Sequence, residues 1–330
     1  MGTPRRRRGS VIFGSSVLAC ALVAALAGPW LAPHEPNEQF EDRAYAPPTR
    51  IHLFDSAGLH APFVRPLVPV DRLARTYRED QSVRIPLVWL SHGLVTTNDQ
   101  AQPLLLLGAD ALGRDVFSRL LFGARLSLGV ALLGVLGALA IGAAVGALAG
   151  TGGRWTDGGL MLIADFLLAL PGAYLVLVLR SALPMVPQTS EIFVLIVLLF
   201  ALAGWPHAAR GVRAIVASER SREYAEAARA SGAGSWRLAR QLLPAARGFL
   251  AVELILLVPA LLVAEGTISY LGFGFADVSG SWGVMLHDAA NGRVLADAPW
   301  MLAPAVAIFV IVLATQLLAG SRVTAGEIRW

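Results

Sequence analysis

Six long apolar runs constrain the fold of this chain more than any other feature of its sequence. They cover residues 11–32, 127–150, 158–180, 191–212, 248–272 and 301–320. About 20 apolar residues in a helix are enough to cross the hydrocarbon core of a bilayer. Of the 330 residues, 55% are hydrophobic and only 15% are charged, which is too apolar for an ordinary soluble domain. The sequence therefore predicts an all-α membrane protein with six transmembrane helices.

Two of these runs contain residues that affect how helices pack. Pro171 and Gly172 interrupt the third run, because proline removes a backbone donor from a helix. The second run is rich in glycine, and Gly142 and Gly146 have the four-residue spacing that allows helices to approach closely. We interpret these glycines as packing residues and not as a ligand site.

The first run follows Arg5 to Arg8, a pattern that is also typical of a signal peptide. The residues that end at Cys20 even resemble a lipoprotein cleavage box. The apolar run nevertheless continues well beyond Cys20 and reaches the length of a membrane span. We expect residues 1–32 to form a basic cytoplasmic tail and an uncleaved first transmembrane helix.

Residues 33–105 have a different composition and are predicted to be an extracytoplasmic insertion. From His34 to Gln102 the segment has nine acidic residues and seven arginines, and it has no apolar run of spanning length. Arg84–Trp89 has the composition of an edge strand interrupted by Pro86. His52, His60 and His92 lack the spacing of metal ligands, so no metal site is predicted. The residues leave open whether the insertion is a small domain or a lid over a pore.

The arginines are distributed unequally about the predicted spans. One side receives Arg5 to Arg8, Arg154, eight arginines from Arg210 to Arg247, and the arginines of the last ten residues. Because positive charge marks the cytoplasmic side, both termini and the loop at about 213–247 are predicted to be cytoplasmic. Residues 106–320 would then form the membrane core with five spans, and residues 321–330 a cytoplasmic tail. Membrane topology accounts for the basic charge, so no nucleic-acid partner is predicted.

The cytoplasmic loop contains a candidate docking helix. Glu223, Ala227 and Ala230 fall on one side of a helical period, and the small alanines would let a partner surface approach closely. Gly232 can end this helix in a left-handed conformation, and Pro244 limits any helix that reaches Leu243. An ordinary solvated loop helix would give the same pattern, and the residues alone do not separate the two interpretations.

The same loop resembles the EAA loop of ABC importer permeases. Glu226-Ala227-Ala228, then Gly232, and then Leu243-Pro244 carry the resemblance. The interval from Gly232 to Pro244 is one residue shorter than in that family, Gln241 stands where histidine is common, and Ala245 where asparagine is common. The resemblance implies that an ATPase subunit docks on a coupling segment formed by Glu223, Glu226, Ala227, Ala228, Gly232, Leu243 and Pro244.

A second motif precedes the second span. From the residues alone, Val116–Ser127 predicts an amphipathic helix at the membrane interface, or a helix start with snorkelling arginines. With Ala109 in place of threonine, the motif is similar to a Gly-Thr-Asp-x-x-Gly-Arg-Asp-x-x-Ser-Arg segment of the dipeptide and oligopeptide permease branch. Ser281-Trp282-Gly283 is similar to the same branch. The motif residues are Gly108, Asp110, Gly113, Arg114, Asp115, Ser118 and Arg119.

These resemblances imply a type I ABC importer permease fold for one subunit of a peptide-type importer. They also imply a second permease subunit, two ATP-binding subunits, an extracytoplasmic substrate-binding protein and surrounding membrane lipid. The implied location is the bacterial inner membrane. The substrate class is left open among peptides, nickel chelates and glycosides.

Three acidic residues lie within the predicted spans: Asp165, Glu253 and Glu265. Ionisable residues in a membrane suggest function first, but Glu253 and Glu265 are too far apart along one helix to share a site. We expect each residue to face the bundle interior and to be paired there.

No catalytic constellation is recognised, and neither a catalytic residue nor a cofactor is predicted. The sequence has no lysine, so it lacks the phosphate-binding lysine of a Walker-type ATPase. Two other classes remain open at this stage: an ion-coupled secondary transporter, and a membrane-anchored extracytoplasmic protein.

Overall fold

A computed structural model describes residues 4–324 except 56–57, 72–74, 92, 98, 100–101, 182–187 and 277–279. His92 and residues 325–330 of the predicted cytoplasmic tail therefore lie outside the described part of the chain. Most of the described residues are helical.

The helices follow the apolar runs of the sequence. They are α1 (Pro4–Leu31), α2 (Val116–Thr151), α3 (Arg154–Ala169), α4 (Gly172–Ser181), α5 (Thr189–Glu219), α6 (Glu223–Ala230), α7 (Ser235–Leu242), α8 (Arg247–Tyr270), α9 (Trp282–Asp288), α10 (Gly292–Asp297) and α11 (Ala303–Thr324). Short 3-10 turns at Leu243–Ala246 and Pro299–Leu302 precede α8 and α11.

Five helical segments in the described chain are long and apolar enough to cross a membrane. They are Val11–Leu31, Val116–Thr151, Thr189–Glu219, Ser235–Tyr270 and Pro299–Gly320. The fourth of these segments consists of α7, the 3-10 turn and α8. The chain is thus a multi-pass membrane protein.

The run predicted as the third span is divided into two helices. Helix α3 ends at Ala169, and Leu170 has an extended backbone with φ −75° and ψ 126°. A residue before proline disfavours the helical region, so Pro171 enforces this break. Helices α3 and α4 have 16 and 10 residues, and neither alone has the length of a membrane span.

Helix α2 is continuous over 36 residues, from Val116 to Thr151. Val116–Ser127 is therefore the first part of α2 and leads without a break into the second apolar run. Arg119 is fully buried and Arg114 is nearly so, while Arg125 is exposed. Neither of the two buried arginines snorkels, because both guanidinium groups form ion pairs.

The all-α prediction is wrong for the segment between α1 and α2, which contains six strands. They are β1 (Ile51–Asp55), β2 (Gly58–Val64), β3 (Leu67–Asp71), β4 (Thr76–Glu79), β5 (Ile85–Trp89) and β6 (Val95–Thr97). Strands β1, β2, β5 and β6 form an antiparallel sheet in that order, and β3 pairs with β4 in a separate hairpin.

Strand β5 lies between β2 and β6, so its prediction as an edge strand is wrong. Its first residues, Ile85 and Pro86, pair with β2, whereas its last three residues pair with β6. Because the two pairings use different residues, Pro86 has a partner strand on only one side. Proline has no backbone N–H to donate, and the offset means that Pro86 does not interrupt the hydrogen bonds between β5 and β6.

The chain divides into two compact units. The first comprises Met1–Leu18, Gly129–Glu265 and Ile311–Trp330, and the second comprises Ala19–Leu128 and Gly266–Val310. In the first unit, Gly134 of α2 faces Phe200 of α5, and a Cβ at Gly134 would stand 2.7 Å from the Phe200 Cβ. The predicted packing role of the glycines in the second run is confirmed. In the second unit, one apolar cluster joins the sheet to the residues before α2: Val64, Ile85, Leu87, Val95 and Leu104.

Candidate functional site

Helices α6 and α7 form a helical hairpin between α5 and α8. Helix α6 has Glu223 and Glu226 in its first turn, where negative charge is favourable, and Arg229 in its last turn. Gly232 follows with φ +80°, a left-handed conformation in which a Cβ would cause strain. Its N–H donates to the Arg229 carbonyl oxygen at 2.9 Å, and the next N–H donates to the Ala228 carbonyl oxygen at 3.0 Å. This is a Schellman ending, and the predicted role of Gly232 in ending the helix is confirmed.

The inner face of the hairpin is apolar and buried. Ala225 of α6 is fully buried, and α7 contributes Leu238, Ala239 and Leu242. These residues share one cluster with Ala147 of α2 and with Val212 and Val216 of α5. Burial of this face holds the hairpin against the ends of two long helices, since burying each leucine-sized side chain stabilises by about 1.5–3 kcal/mol.

Polar contacts fix the same arrangement. The Arg220 Nη1 donates to the Gly152 carbonyl oxygen at 2.8 Å, and the Thr151 Oγ1 donates to the Ser235 carbonyl oxygen at 3.2 Å. The Arg229 Nη2 donates to the Arg220 carbonyl oxygen at 3.0 Å. The positioning roles of Arg220 and Thr151 could not be predicted from the sequence, because each side chain bonds a backbone oxygen that no sequence motif marks.

The outer face of α6 is exposed and carries small and acidic residues. Glu223, Glu226, Ala227 and Ala230 are exposed, and Ala228 is half-buried. Beside them, the Tyr224 hydroxyl donates to Glu219 Oε2 at 2.6 Å, and this hydrogen bond raises the pKa of Tyr224 above its usual value. The arrangement offers a partner a short helix with little side-chain bulk.

The second half of the predicted coupling segment joins α7 to α8. Leu243 and Pro244 begin the 3-10 turn; Leu243 is half-buried against the apolar cluster, and Pro244 is exposed. The turn leads directly into α8 at Arg247. All seven predicted coupling residues thus lie within one hairpin and its link to α8.

The second predicted motif forms a buried ionic cluster at the start of α2. Asp110 accepts hydrogen bonds from the Arg114 Nε at 2.7 Å and from Arg119 Nη1. Asp288 of α9 lies 3.2 Å from Arg119 Nη1. The cluster joins residues before α2, its first turns and α9 by charge pairs. Asp288 was not predicted as a member of this cluster, since it is 169 residues from Arg119 along the chain.

The remaining motif residues shape the backbone around this cluster. Asp115 caps α2, because its Oδ2 accepts from the Ser118 N–H at 3.0 Å and from the Ser118 hydroxyl at 2.6 Å. Gly113 has φ +74°, and a Cβ there would collide with the Phe40 carbonyl oxygen. Gly108, also at positive φ, lies against Trp300.

The three intramembrane acidic residues are on two different helices. Asp165 of α3 pairs with Arg210 of α5, as expected, but its side chain is 56% exposed and does not face a buried interior. Glu265 is fully buried and Glu253 is half-buried, and both lie on α8. Among the described residues, no group of three His, Cys, Asp or Glu side chains is placed to hold a metal ion.

The chain therefore combines helices of membrane-spanning length with an exposed helical hairpin between α5 and α8. Residues 142–321 match the family of binding-protein-dependent transport system inner membrane components. Residues 5–48 match the N-terminal transmembrane domain of oligopeptide transport permease C. The chain belongs to the family of binding-protein-dependent transport system inner membrane components.

Three relatives show the extent of the similarity. The chain is 30% identical over 313 residues to the di/tripeptide transport system permease protein of Pseudomonas aeruginosa, covering 94% of this chain and 84% of that protein. It is 35% identical over 213 residues to the glutathione transport system permease protein of Pectobacterium atrosepticum, covering 64% of this chain and 68% of that protein. It is 38% identical over 182 residues to the dipeptide transport system permease protein of Bacillus subtilis, covering 55% of each.

Proposed function

We propose that this chain is a permease subunit of an ATP-driven importer of peptides or similar small solutes. Family membership and the names of the relatives support this assignment. The observation that carries the coupling role is the two-faced hairpin. Its inner face is packed on α2 and α5, while its outer face presents Glu223, Glu226 and Ala227 to a partner.

In this proposal the hairpin transmits motion as a rigid lever. An ATPase subunit would contact the outer face of α6 and displace the hairpin when it closes on ATP. Because the inner face is buried against α2 and α5, and α7 continues through a short turn into α8, displacement of α6 would move these helices together. The chain has no lysine to serve a Walker-type site, so separate subunits would supply ATP hydrolysis.

The proposed topology has six crossings. Helices α3 and α4 would together form one broken crossing, which is tolerated where neighbouring helices satisfy the freed backbone groups. Both termini and the α6–α7 hairpin would be cytoplasmic, and the six-stranded segment would be extracytoplasmic, in a bacterial inner membrane. The proposed partners are a second permease subunit, two ATP-binding subunits and an extracytoplasmic substrate-binding protein.

Co-purification from native membranes tests the coupling role. A tagged wild-type chain is compared with Glu226→Lys, which reverses a charge on the outer face of α6. The matched control is Glu41→Lys, an equal reversal at an exposed residue outside the hairpin. Bound proteins are identified by mass spectrometry. We expect ATPase subunits with the wild type and with Glu41→Lys, and their loss with Glu226→Lys, while the second permease is retained in all three.

Two results would contradict the proposal. If ATPase subunits bind Glu226→Lys at the wild-type level, the hairpin does not have the proposed coupling role. If the wild-type chain recovers no ATPase under conditions that keep other ABC complexes whole, the chain is not part of an ATP-driven importer. Ion-coupled transport through the intramembrane carboxylates would then be the class to examine.

A further inference from the structure

A cleft of about 480 Å³ lies beside the α6–α7 hairpin in the first unit. One wall is the end of α2 with the start of α3, and the other is the connection from α5 to α6. We call it the arginine cleft, because Arg154, Arg220 and Arg229 line it together with Asp157 and Glu226. Its volume falls in the range of about 300–1,000 Å³ that small-molecule sites occupy.

The arginine cleft carries a net positive charge. Asp157 is already held by Arg213, whose Nε donates to Asp157 Oδ1 at 2.9 Å and whose Nη2 contacts Oδ2. Glu226 lies 3.7 Å from Arg229, beyond hydrogen-bond distance, and is 64% exposed. Three arginines therefore face one loosely held carboxylate, and the cleft favours an anion.

Arg220 is held in place by the fold. Its Nη1 bonds the Gly152 carbonyl oxygen across the cleft, and its own carbonyl oxygen accepts from Arg229 Nη2. Two of the three arginines are thus positioned before a ligand arrives. Guanidinium groups match the oxygen geometry of phosphate and carboxylate, and preorganised groups lose less entropy on binding.

The position of the cleft along the helices favours a lipid ligand. Helices α2 and α5, both long enough to cross a membrane, end at Thr151 and Glu219, at the two walls of the cleft. Trp155, next to Arg154, is 93% exposed. Tryptophan is enriched at membrane interfaces, and basic pockets at the cytoplasmic ends of membrane helices bind anionic lipid headgroups.

We propose that the arginine cleft binds the phosphate of an anionic phospholipid headgroup from the cytoplasmic leaflet. Glu226 and Arg229 of α6 border the cleft, so a bound headgroup would lie beside the outer face of α6. The proposal rests on the cytoplasmic placement of the hairpin given under the proposed function. It does not depend on ATP coupling.

Lipid titration of the purified full-length chain in detergent, followed by native mass spectrometry, tests this site. The probes are phosphatidylglycerol and, as a zwitterionic reference, phosphatidylcholine. The test variant is Arg154→Gln/Arg229→Gln, and the matched control is Arg154→Gln/Arg237→Gln, in which the second substitution falls on an exposed arginine of α7 outside the cleft. The control isolates Arg229, since both variants lose two charges.

We expect the wild type to bind phosphatidylglycerol more tightly than phosphatidylcholine. An arginine near an anionic surface contributes roughly fivefold in affinity, so the test variant should bind phosphatidylglycerol at least about fivefold more weakly than the control. Size-exclusion profiles and circular dichroism establish that each variant is folded. The single variant Arg154→Gln changes an exposed residue and should lose less affinity for phosphatidylglycerol than the double test variant. It provides a second measurement if the double variant does not fold.

Three outcomes would overturn the proposal. Equal binding by the test and control variants would indicate general attraction to a basic surface. Soluble glycerol 3-phosphate that binds in the cleft as tightly as the lipid would make a soluble phosphate the ligand. Unchanged lipid binding, together with loss of ATPase co-purification in the test variant, would assign the cleft to the ATPase partner. Because the titration uses the chain without ATPase subunits, its result is independent of the coupling experiment.

Discussion

Gly142 of α2 lies directly against Ala208 of α5. A Cβ added at Gly142 would stand 2.5 Å from the Ala208 Cβ and 2.8 Å from the Trp205 carbonyl oxygen. Ala208 is itself fully buried. The two helices therefore approach at backbone distance at this point, and the α6–α7 hairpin packs on the ends of these same helices.

Replacing this glycine should loosen the helix pair. Gly142→Ala forces atoms into a filled interface, and overpacking of this kind costs about 1–3 kcal/mol. The thermal midpoint of the purified chain in detergent should fall. Gly158→Ala, in α3 where the added Cβ has no neighbour within 4 Å, is the matched control and should leave the midpoint unchanged or raise it. Equal midpoints for the two variants would show that the α2–α5 contact is not tight.

The Schellman ending of α6 predicts a difference between two nearby glycines. Gly232→Ala places a side chain at φ +80° and should cost about 1–2 kcal/mol, which frays the end of α6. Gly234→Ala, at φ −70° with an added Cβ in open space, should be tolerated. Tryptic cleavage after Arg229, followed over time, should be faster in Gly232→Ala than in Gly234→Ala. Identical cleavage rates would mean that the left-handed residue does not stabilise the helix end.

The buried ionic cluster predicts strong destabilisation when one charge is removed. Arg119→Gln leaves Asp110 and Asp288 with less compensating charge, and breaking a buried pair costs about 3–5 kcal/mol. Arg125→Gln removes an exposed arginine from the same helix and should be nearly neutral. Denaturant unfolding in detergent measures both variants.

The contact between Arg119 and Asp288 is tested by a double-mutant cycle. If the two side chains are paired, Arg119→Gln/Asp288→Asn should be less destabilised than the sum of the two single variants. Strict additivity would mean that α9 is not tied to α2 by this charge pair.

Tyr77 should ionise at higher pH than an ordinary tyrosine. Its hydroxyl donates to the Ala44 carbonyl oxygen at 2.7 Å, and burial raises its pKa above the usual value of about 10, against the opposing effect of the Arg43 charge. Because the pKa is higher in the folded chain, the stabilising contribution is fully present below the unfolded pKa. It is lost as the pH rises through the folded pKa.

Ultraviolet absorbance during an alkaline titration measures this ionisation. The difference between the wild type and Tyr77→Phe isolates the Tyr77 signal, which should develop above pH 10. A Tyr77 signal that is complete below pH 10 would contradict the burial of the hydroxyl.

Much of the helical framework could be predicted from the sequence, because it depends on local order. Apolar runs of sufficient length form helices in a membrane, because the bilayer interior has no water to hydrogen-bond the backbone groups. Only an α-helix or a closed β-barrel satisfies these groups there. The ending at Gly232 could be predicted because only glycine adopts positive φ without strain. The break at Pro171 could be predicted because proline excludes its predecessor from the helical region.

Other features were decided by tertiary structure alone. Asp288 joins Arg119 across 169 residues, and nothing near either residue in the sequence specifies the other. The interior position of β5 depends on the strands that flank it, so Pro86 by itself suggested the wrong place in the sheet. The arginine cleft is formed by the turn after α2 and the turn after α5, which are about 70 residues apart in the chain. Local sequence therefore determines where helices begin and end, whereas the pairing of charges, strands and cleft walls is determined by which distant segments pack together.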